Sequence, residues 1–254
     1  MRRALLLPVV LLAGCGGGSG KPASDASALR VVAAAKRAIL GLHSFHIAGT
    51  NTENGQIMAI AGDWTAPGRA EATLRRGPAA ARLILIPGAV YMRANARFWT
   101  TVSRVPPHAV PLVSNRWIAL PATDKLKRLL ADLDPRTLSH CLAFDAGTLR
   151  DEGIQTLDGV RVHELRSLGD RPGSAPGVAY FAARGPALPL RTVQTGAHRP
   201  GGPSDPRCQS DRPDRSTASD LRLSRFNAPV HIAAPPNAIT LQEIAAKVRG
   251  THAA

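Results

Sequence analysis

The sequence predicts an α+β fold built on one large antiparallel sheet, and three observations carry that expectation. Apolar residues recur with period two over most of the chain, as in half-buried strands. Turn dipeptides punctuate these runs about every ten residues between positions 54 and 88. Helical periodicity is confined to the beginning, the middle and the end, so helices and strands are segregated.

Asp25 to Leu42 reads as the leading helix. Asp25 or Ser27 can cap it, and Leu29, Val32, Ala35, Lys36, Ile39 and Leu40 form an approximate apolar face. The period then changes from 3.6 to 2. Met58, Ile60 and Trp64 share one face of an early strand, and Arg69 to Arg75 alternates polar with small or apolar residues. Ala81, Leu83 and Leu85 share a face of the next strand, and Val90, Met92 and Ala94 a face of the one after. Asn54-Gly55, Pro67-Gly68, Gly77-Pro78 and Pro87-Gly88 separate them, and Asn-Gly supplies the positive φ angles a tight hairpin needs. The meander is expected to run on through Phe98-Trp99-Thr100.

A helical interruption follows. Thr123 or Asp124 can cap a segment with Leu126, Leu129, Leu130 and Leu133 on one side, and Asp134-Pro135 opens a second helix reaching Phe144. Strands are expected over 148–156 and 160–167, around the hairpin signal Asp158-Gly159, and then over 178–182, 190–195 and 220–226. Gly196 to Ser219 reads as a long polar loop, Val230 to Ala233 as a short last strand, and Thr240 to Arg249 as a closing helix. A sheet of about ten strands must curl or close, because strand twist accumulates.

The first residues have the parts of a secretory signal: Arg2 and Arg3, an apolar run from Ala4 to Leu12, then the small residues Ala13 and Gly14 before Cys15. Leu12-Ala13-Gly14-Cys15 resembles the lipobox of bacterial lipoproteins, in which the cysteine is diacylated and becomes the new N-terminus. Signal, spacing and cysteine agree, which favours a lipobox over an ordinary cleaved signal and a chance cysteine. The apolar run falls short of the roughly 20 residues that span a bilayer. Two acyl chains would supply the anchor instead, at about 0.8 kcal/mol per buried methylene. The expected organisation is therefore a signal over 1–14, a lipidated tether over 15–24 containing Gly16–Gly20, and one domain over 25–254. The expected location is the extracytoplasmic face of the cell membrane.

The formal net charge is +14, or +12 without Arg2 and Arg3, and 27 of the 32 basic residues are arginine. Nucleic acid is not the expected partner, because export removes the protein from it and the arginines stand singly along the chain. An anionic membrane surface is the better match, at about 1 kcal/mol per basic residue close to the lipid. With Cys15 assigned to the anchor, Cys141 and Cys208 remain, and in an oxidising compartment such a pair reads first as one disulfide.

The lipobox, the leading helix and the segment Val90-Tyr91-Met92-Arg93-Ala94-Asn95-Ala96-Arg97-Phe98-Trp99 together resemble the LppX/LprG-type lipoproteins of actinobacterial envelopes. Trp117-Ile118-Ala119-Leu120 before a leucine-rich helix fits, as does Ser224 to Ile232 followed by Pro235 and Pro236. The resemblance implies a fold similar to the lipoprotein carrier LolA: a strongly curved half-barrel sheet covered on its concave side by helices. It also implies an acylated lipid as ligand.

No catalytic constellation stands out. There is no Gly-x-Ser-x-Gly, no phosphate loop and no zinc-binding helix around His43 and His46, while Glu164 and Asp170 read as surface carboxylates. No cofactor or metal is implied. Trp64, Tyr91, Trp99 and Trp117 are candidates either for a cavity wall or for core and cross-strand packing. The expected function is a non-catalytic, membrane-anchored lipoprotein that binds or carries an acylated lipid. Its cavity walls are sought among Met58, Ile60, Leu83, Met92, Leu126, Leu129, Leu130 and Leu133, with arginines at the rim. The alternatives are a structural or partner-binding envelope lipoprotein, such as a sensor or accessory subunit, and a hydrolase of unrecognised type. No protein partner is specified.

Overall fold

The computed structural model describes residues 23–121, 134–143, 146–201, 208 and 216–251. Cys15 with the expected signal and tether, and the helix expected around Leu126, Leu129, Leu130 and Leu133, lie outside the described residues.

The strands are β1 Ser44–Glu53, β2 Gln56–Thr65, β3 Arg69–Arg76, β4 Ala79–Ile86, β5 Ala89–Ala94, β6 Ile118–Leu120, β7 Leu149–Leu157, β8 Val160–Leu168, β9 Pro176–Ala182, β10 Pro189–Gln194, β11 Ser216–Ser224 and β12 Ile239–Thr240. They form one twelve-stranded sheet in the order β12-β6-β5-β4-β3-β2-β1-β11-β10-β9-β8-β7, open at β12 and β7. All neighbours are antiparallel except β12 and β6. Two meanders are thus joined through the β1–β11 pair, in a register running from His46 opposite Ser224 to Glu53 opposite Ser216.

The hairpin signals act as expected. Asn54 and Gly55 have φ of 51° and 71°, and Asp158 and Gly159 have 50° and 80°, the two consecutive positive values of a turn whose twist matches its strands. Gly62 serves a different need. A Cβ there would lie 2.3 Å from the Glu71 carbonyl oxygen, because the curled sheet brings the β3 backbone over β2.

Each strand turns one side toward a shared inner face. Phe45 and Ile47, Trp64, Ala70, Leu83 and Leu85, Val90 and Ile118 follow one another across it and form the sheet side of the larger core. Phe45 and Trp64 stack at 5.4 Å between centroids. A second core lies under α1 (Ala26–Leu40), where Ala28, Val31, Val32 and Ala35 meet Leu149, Leu165 and Phe181.

The helices depart from expectation in instructive ways. The buried face of α1 is Ala28, Val31, Val32, Ala35 and Ile39, whereas Leu29 and Leu40 are 52% and 55% exposed. The helix presents its small side, which lets it approach the sheet closely. Asp25 precedes α1 but does not cap it through its side chain. Its carboxylate instead accepts hydrogen bonds from Arg150 Nη1 at 2.7 Å and from the Asp151 amide at 3.0 Å, pinning α1 to β7.

Phe98-Trp99-Thr100 is not a strand but part of α2 (Ala96–Thr101). Asn95 ends β5 by capping that helix: its Oδ1 accepts from the Phe98 amide at 2.9 Å and its Nδ2 donates to the Pro78 carbonyl at 2.8 Å. A 3₁₀ turn at Pro107–Ala109 and the short α3 (Val110–Val113) lead into β6. The next helix, α4 (Pro135–Cys141), is capped by Asp134 and stops short of Phe144, where Ala143 takes a φ of 57°.

The loop expected to run to Ser219 gives way to strand at Ser216. Residues 230–233 form no strand, because β11 already holds the edge of β1. Ile232 is nevertheless buried, and its carbonyl accepts from Arg69 Nη1 at 2.9 Å. The last strand is β12, followed by α5 (Leu241–Thr251). Thr240 and Glu243 form a reciprocal capping box there.

Candidate functional site: a cavity between sheet and helices

The inner face is graded along its strands. The row Ser167, Gly177, Gln194, Ser219, Asn51, read across β8, β9, β10, β11 and β1, is polar or bare. The adjacent row, Leu165, Ala179, Thr192, Leu221, Gly49, is mostly small or apolar. Over these rows lies a cavity of about 240 Å³. Its floor is Leu165, Ala179, Phe181 and Thr192, and its roof is Val32 of α1 with Leu142, Ala143 and Ala146, the residues after α4. Ser167, Gln194, His198 and Ser219 add polar groups to the lining. The lining is predominantly apolar with a few polar groups, the composition of a ligand pocket, and the volume is slightly below the usual range of roughly 300–1,000 Å³.

Local chemistry holds these walls in place. Gly177 cannot carry a side chain, since a Cβ would sit 2.4 Å from the Val193 carbonyl oxygen, and Ala179 adds only a methyl. The space over β9 follows from these two residues. The roof segment is fixed by Asp170, which accepts from the Thr148 amide at 2.6 Å and from Thr148 Oγ1 at 2.7 Å. Those hydrogen bonds, the amide first, hold the Asp170 carboxyl below the usual carboxylate range. Asp170 is therefore a structural anchor rather than an ordinary surface carboxylate.

Cys141 and Cys208 are joined in a disulfide with a Cα–Cα distance of 5.3 Å, as expected from the sequence. The bridge lies beside Leu142 and Ala143 and so ties Cys208 to the cavity roof.

The register places Met58, Ile60, Leu83 and Met92 on the inner face, as their periodicity implied, but on the half of the sheet away from this cavity. Leu83 is packed into the larger core with Met92 against it. Trp64 and Trp99 are core residues, 2% and 7% exposed. Among the described residues no arginine lines the cavity. His46 has a carboxylate neighbour after all: its Nδ1 lies 2.9 Å from Asp63 Oδ1 on the outer face. Among the described residues, no three His, Cys, Asp or Glu side chains converge as a metal site requires.

Sequence reasoning missed Val32, Leu165, Ala179 and Phe181 as walls of one cavity. Their alternation within strands was visible. The β1–β11 pairing that assigns them to one face opposite α1 was not.

No protein-family model matches the chain, and no curated protein does. Solved structures do. LprF from Mycobacterium bovis superposes with a TM-score of 0.52 at 15% identity, over 84% of this chain and 99% of that one. The Mycobacterium tuberculosis lipoprotein LppX gives 0.52 at 15%, over 83% and 100%. The open twelve-stranded sheet, its helix-covered inner face and these superpositions lead to one conclusion: this chain has the fold of the mycobacterial lipoprotein LppX and of LprF.

Proposed function

We propose that the protein is a non-catalytic envelope lipoprotein, anchored by acylated Cys15 at the extracytoplasmic face of the membrane, that binds an acylated lipid between sheet and helices. The observation that carries this reading is the apolar cavity under α1, lined by Val32, Leu142, Leu165, Ala179 and Phe181. An acyl chain entering it gains about 25 cal/mol for each Å² of apolar surface removed from water. The shared fold with a lipoprotein supports the anchor. So does the short signal-like run ending at Cys15. On this reading the chain divides into a signal over 1–14, a tether over 15–24 and a single domain from 25 onward. Met58 and Ile60, half-buried on the same inner face, together with Leu126, Leu129, Leu130 and Leu133, would extend the apolar path beyond the cavity.

The test is mass spectrometry of organic extracts from the purified protein. Wild type should release acylated lipid, and Ala179→Trp, which fills the floor, should release several-fold less while keeping its circular dichroism spectrum. A wild type that purifies free of lipid and takes up none from vesicles would favour the structural or partner-binding alternative.

A further inference from the structure

The positive charge is not spread evenly over the fold. Residues 64–121, which include β3 to β6, carry eight arginines and a single acid, Glu71, a net +7 in less than a quarter of the chain. By contrast, residues 134–201 hold eight arginines and seven acids, a net +1. The arginines that stand singly along the sequence are gathered by strand pairing.

Side chains at odd positions of β3 and β5 and even positions of β4 point to the outer face, opposite the core. Arg82 lies directly across from Arg93 in the β4–β5 register, and Thr73 lies across from Arg82 on the other side. Arg75 is two positions along β3 from Thr73, and Trp117 immediately precedes Ile118, the partner of Met92. Arg82 stacks over Trp117 with its guanidinium carbon 5.8 Å from the ring, and pairs with Glu71 at 2.5 Å. Arg75 and Arg93, on the same face as this pair, are exposed, as are Arg97 and Arg116, which follow Asn95 and Asn115 beyond the strand ends. Like charges directly opposed across a strand pair destabilise a sheet, and one glutamate cannot offset this group. An external anion would.

The direction of the strands adds a second constraint. The strand order places the Gly77-Pro78 turn, Asn95 and Asn115 at the end of the strands where β7 begins at Leu149. The chain enters the fold at that same end, with the Asp25 amide donating to the Leu149 carbonyl at 3.0 Å. The eight residues from Cys15 to Pro22 can extend at most about 28 Å, so a lipid-anchored domain is held with this end close to the bilayer.

We propose that the outer face of β3 to β5, with Arg75, Arg82, Arg93 and Trp117, together with Arg97 and Arg116 at the adjoining strand ends, docks on anionic phospholipid head groups. The guanidinium groups match phosphate in bidentate geometry, and Trp117 has the half-buried position of an interfacial aromatic. This surface orients the domain on the membrane and is separate from the cavity. The inference rests on the reading that the chain works at a membrane, but not on the identity of any lipid cargo.

The experiment is vesicle co-sedimentation of the full chain with Cys15→Ser, so that no acyl anchor contributes. Phosphatidylcholine vesicles are compared with vesicles containing phosphatidylglycerol. The chain should bind the anionic vesicles, release on added salt, and leave the neutral ones alone. The triple variant Arg93→Glu/Arg97→Glu/Arg116→Glu should lose at least about tenfold in partitioning. Arg161→Glu/Arg171→Glu/Arg184→Glu, an equal charge change at exposed sites of the other half, should lose much less. Equal losses from both triples would reduce the effect to net charge and overturn the proposal. So would equal binding to neutral and anionic vesicles, or no binding to either, as expected if the patch serves an acidic protein. Lipid recovered from the first triple at wild-type levels would keep the cargo reading intact whichever way docking turns out.

Discussion

The carboxylate of Asp170 holds Thr148 by two hydrogen bonds, 2.6 Å from the amide and 2.7 Å from Oγ1, at a position where Thr148 is fully buried. Gly147 makes room for this contact, because a Cβ there would lie 2.6 Å from Asp170 Oδ1. Ala146 and Leu149, on either side, are walls of the cavity. Small errors at this turn would therefore reach the cavity roof.

Asp170→Ala should cost about 1–3 kcal/mol, since it leaves the buried Thr148 amide and hydroxyl without this acceptor. The effect is linked to pH. The folded-state pKa of Asp170 is lowered, so its contribution is present above the ordinary carboxylate value and is lost as pH falls through the lowered one. Urea melts between pH 7 and pH 2 should show a loss of stability in wild type that is smaller in Asp170→Asn. Parallel pH profiles would refute the assignment.

Reducing the Cys141–Cys208 bridge should destabilise the protein by about 4 kcal/mol on the chain-entropy model, given its sequence separation of 67 residues. Proteolysis is expected to begin in the loop around Cys208, and lipid retention to fall, because the bridge adjoins Leu142 and Ala143. Thiol titration of the unreduced, denatured protein should find neither cysteine free.

Asn95→Ala should cost roughly 1–2 kcal/mol, the range of a lost helix cap. Besides the Phe98 amide, Asn95 Oδ1 accepts from the Ala80 amide at 3.2 Å, so the change also loosens the β3–β4 turn. Asn95→Asp keeps the acceptor but loses the donation to Pro78, and should fall between the two in a thermal melt.

Cys15→Ser should move the protein from the membrane fraction to the soluble one. A variant that stays as firmly in membranes as wild type, through washes at high salt, would end the lipobox reading.

Period-two patterning and turn chemistry were sufficient to locate most of the strands, because both are local. Asn54-Gly55 and Asp158-Gly159 force hairpins wherever they stand, and alternation at Ala81, Leu83 and Leu85 reports burial of one side. The disulfide was legible because two cysteines remained once Cys15 was assigned, and two cysteines allow one pairing. Three other features were not legible. The true inner face of α1 depends on how closely its alanines approach Leu149 and Phe181. The helix at Phe98 depends on Asn95 finding the Pro78 carbonyl and the Ala80 amide seventeen and fifteen residues back. The cavity depends on the β1–β11 pairing, which joins residues far apart in sequence, and the basic face on the exact register that sets Arg82 opposite Arg93. Most elements were legible in the sequence, since propensity, capping and turn geometry act over a few residues. Which side chains from distant strands share a cavity became visible only in the folded chain, because that is a property of strand order, and strand order is settled by long-range burial.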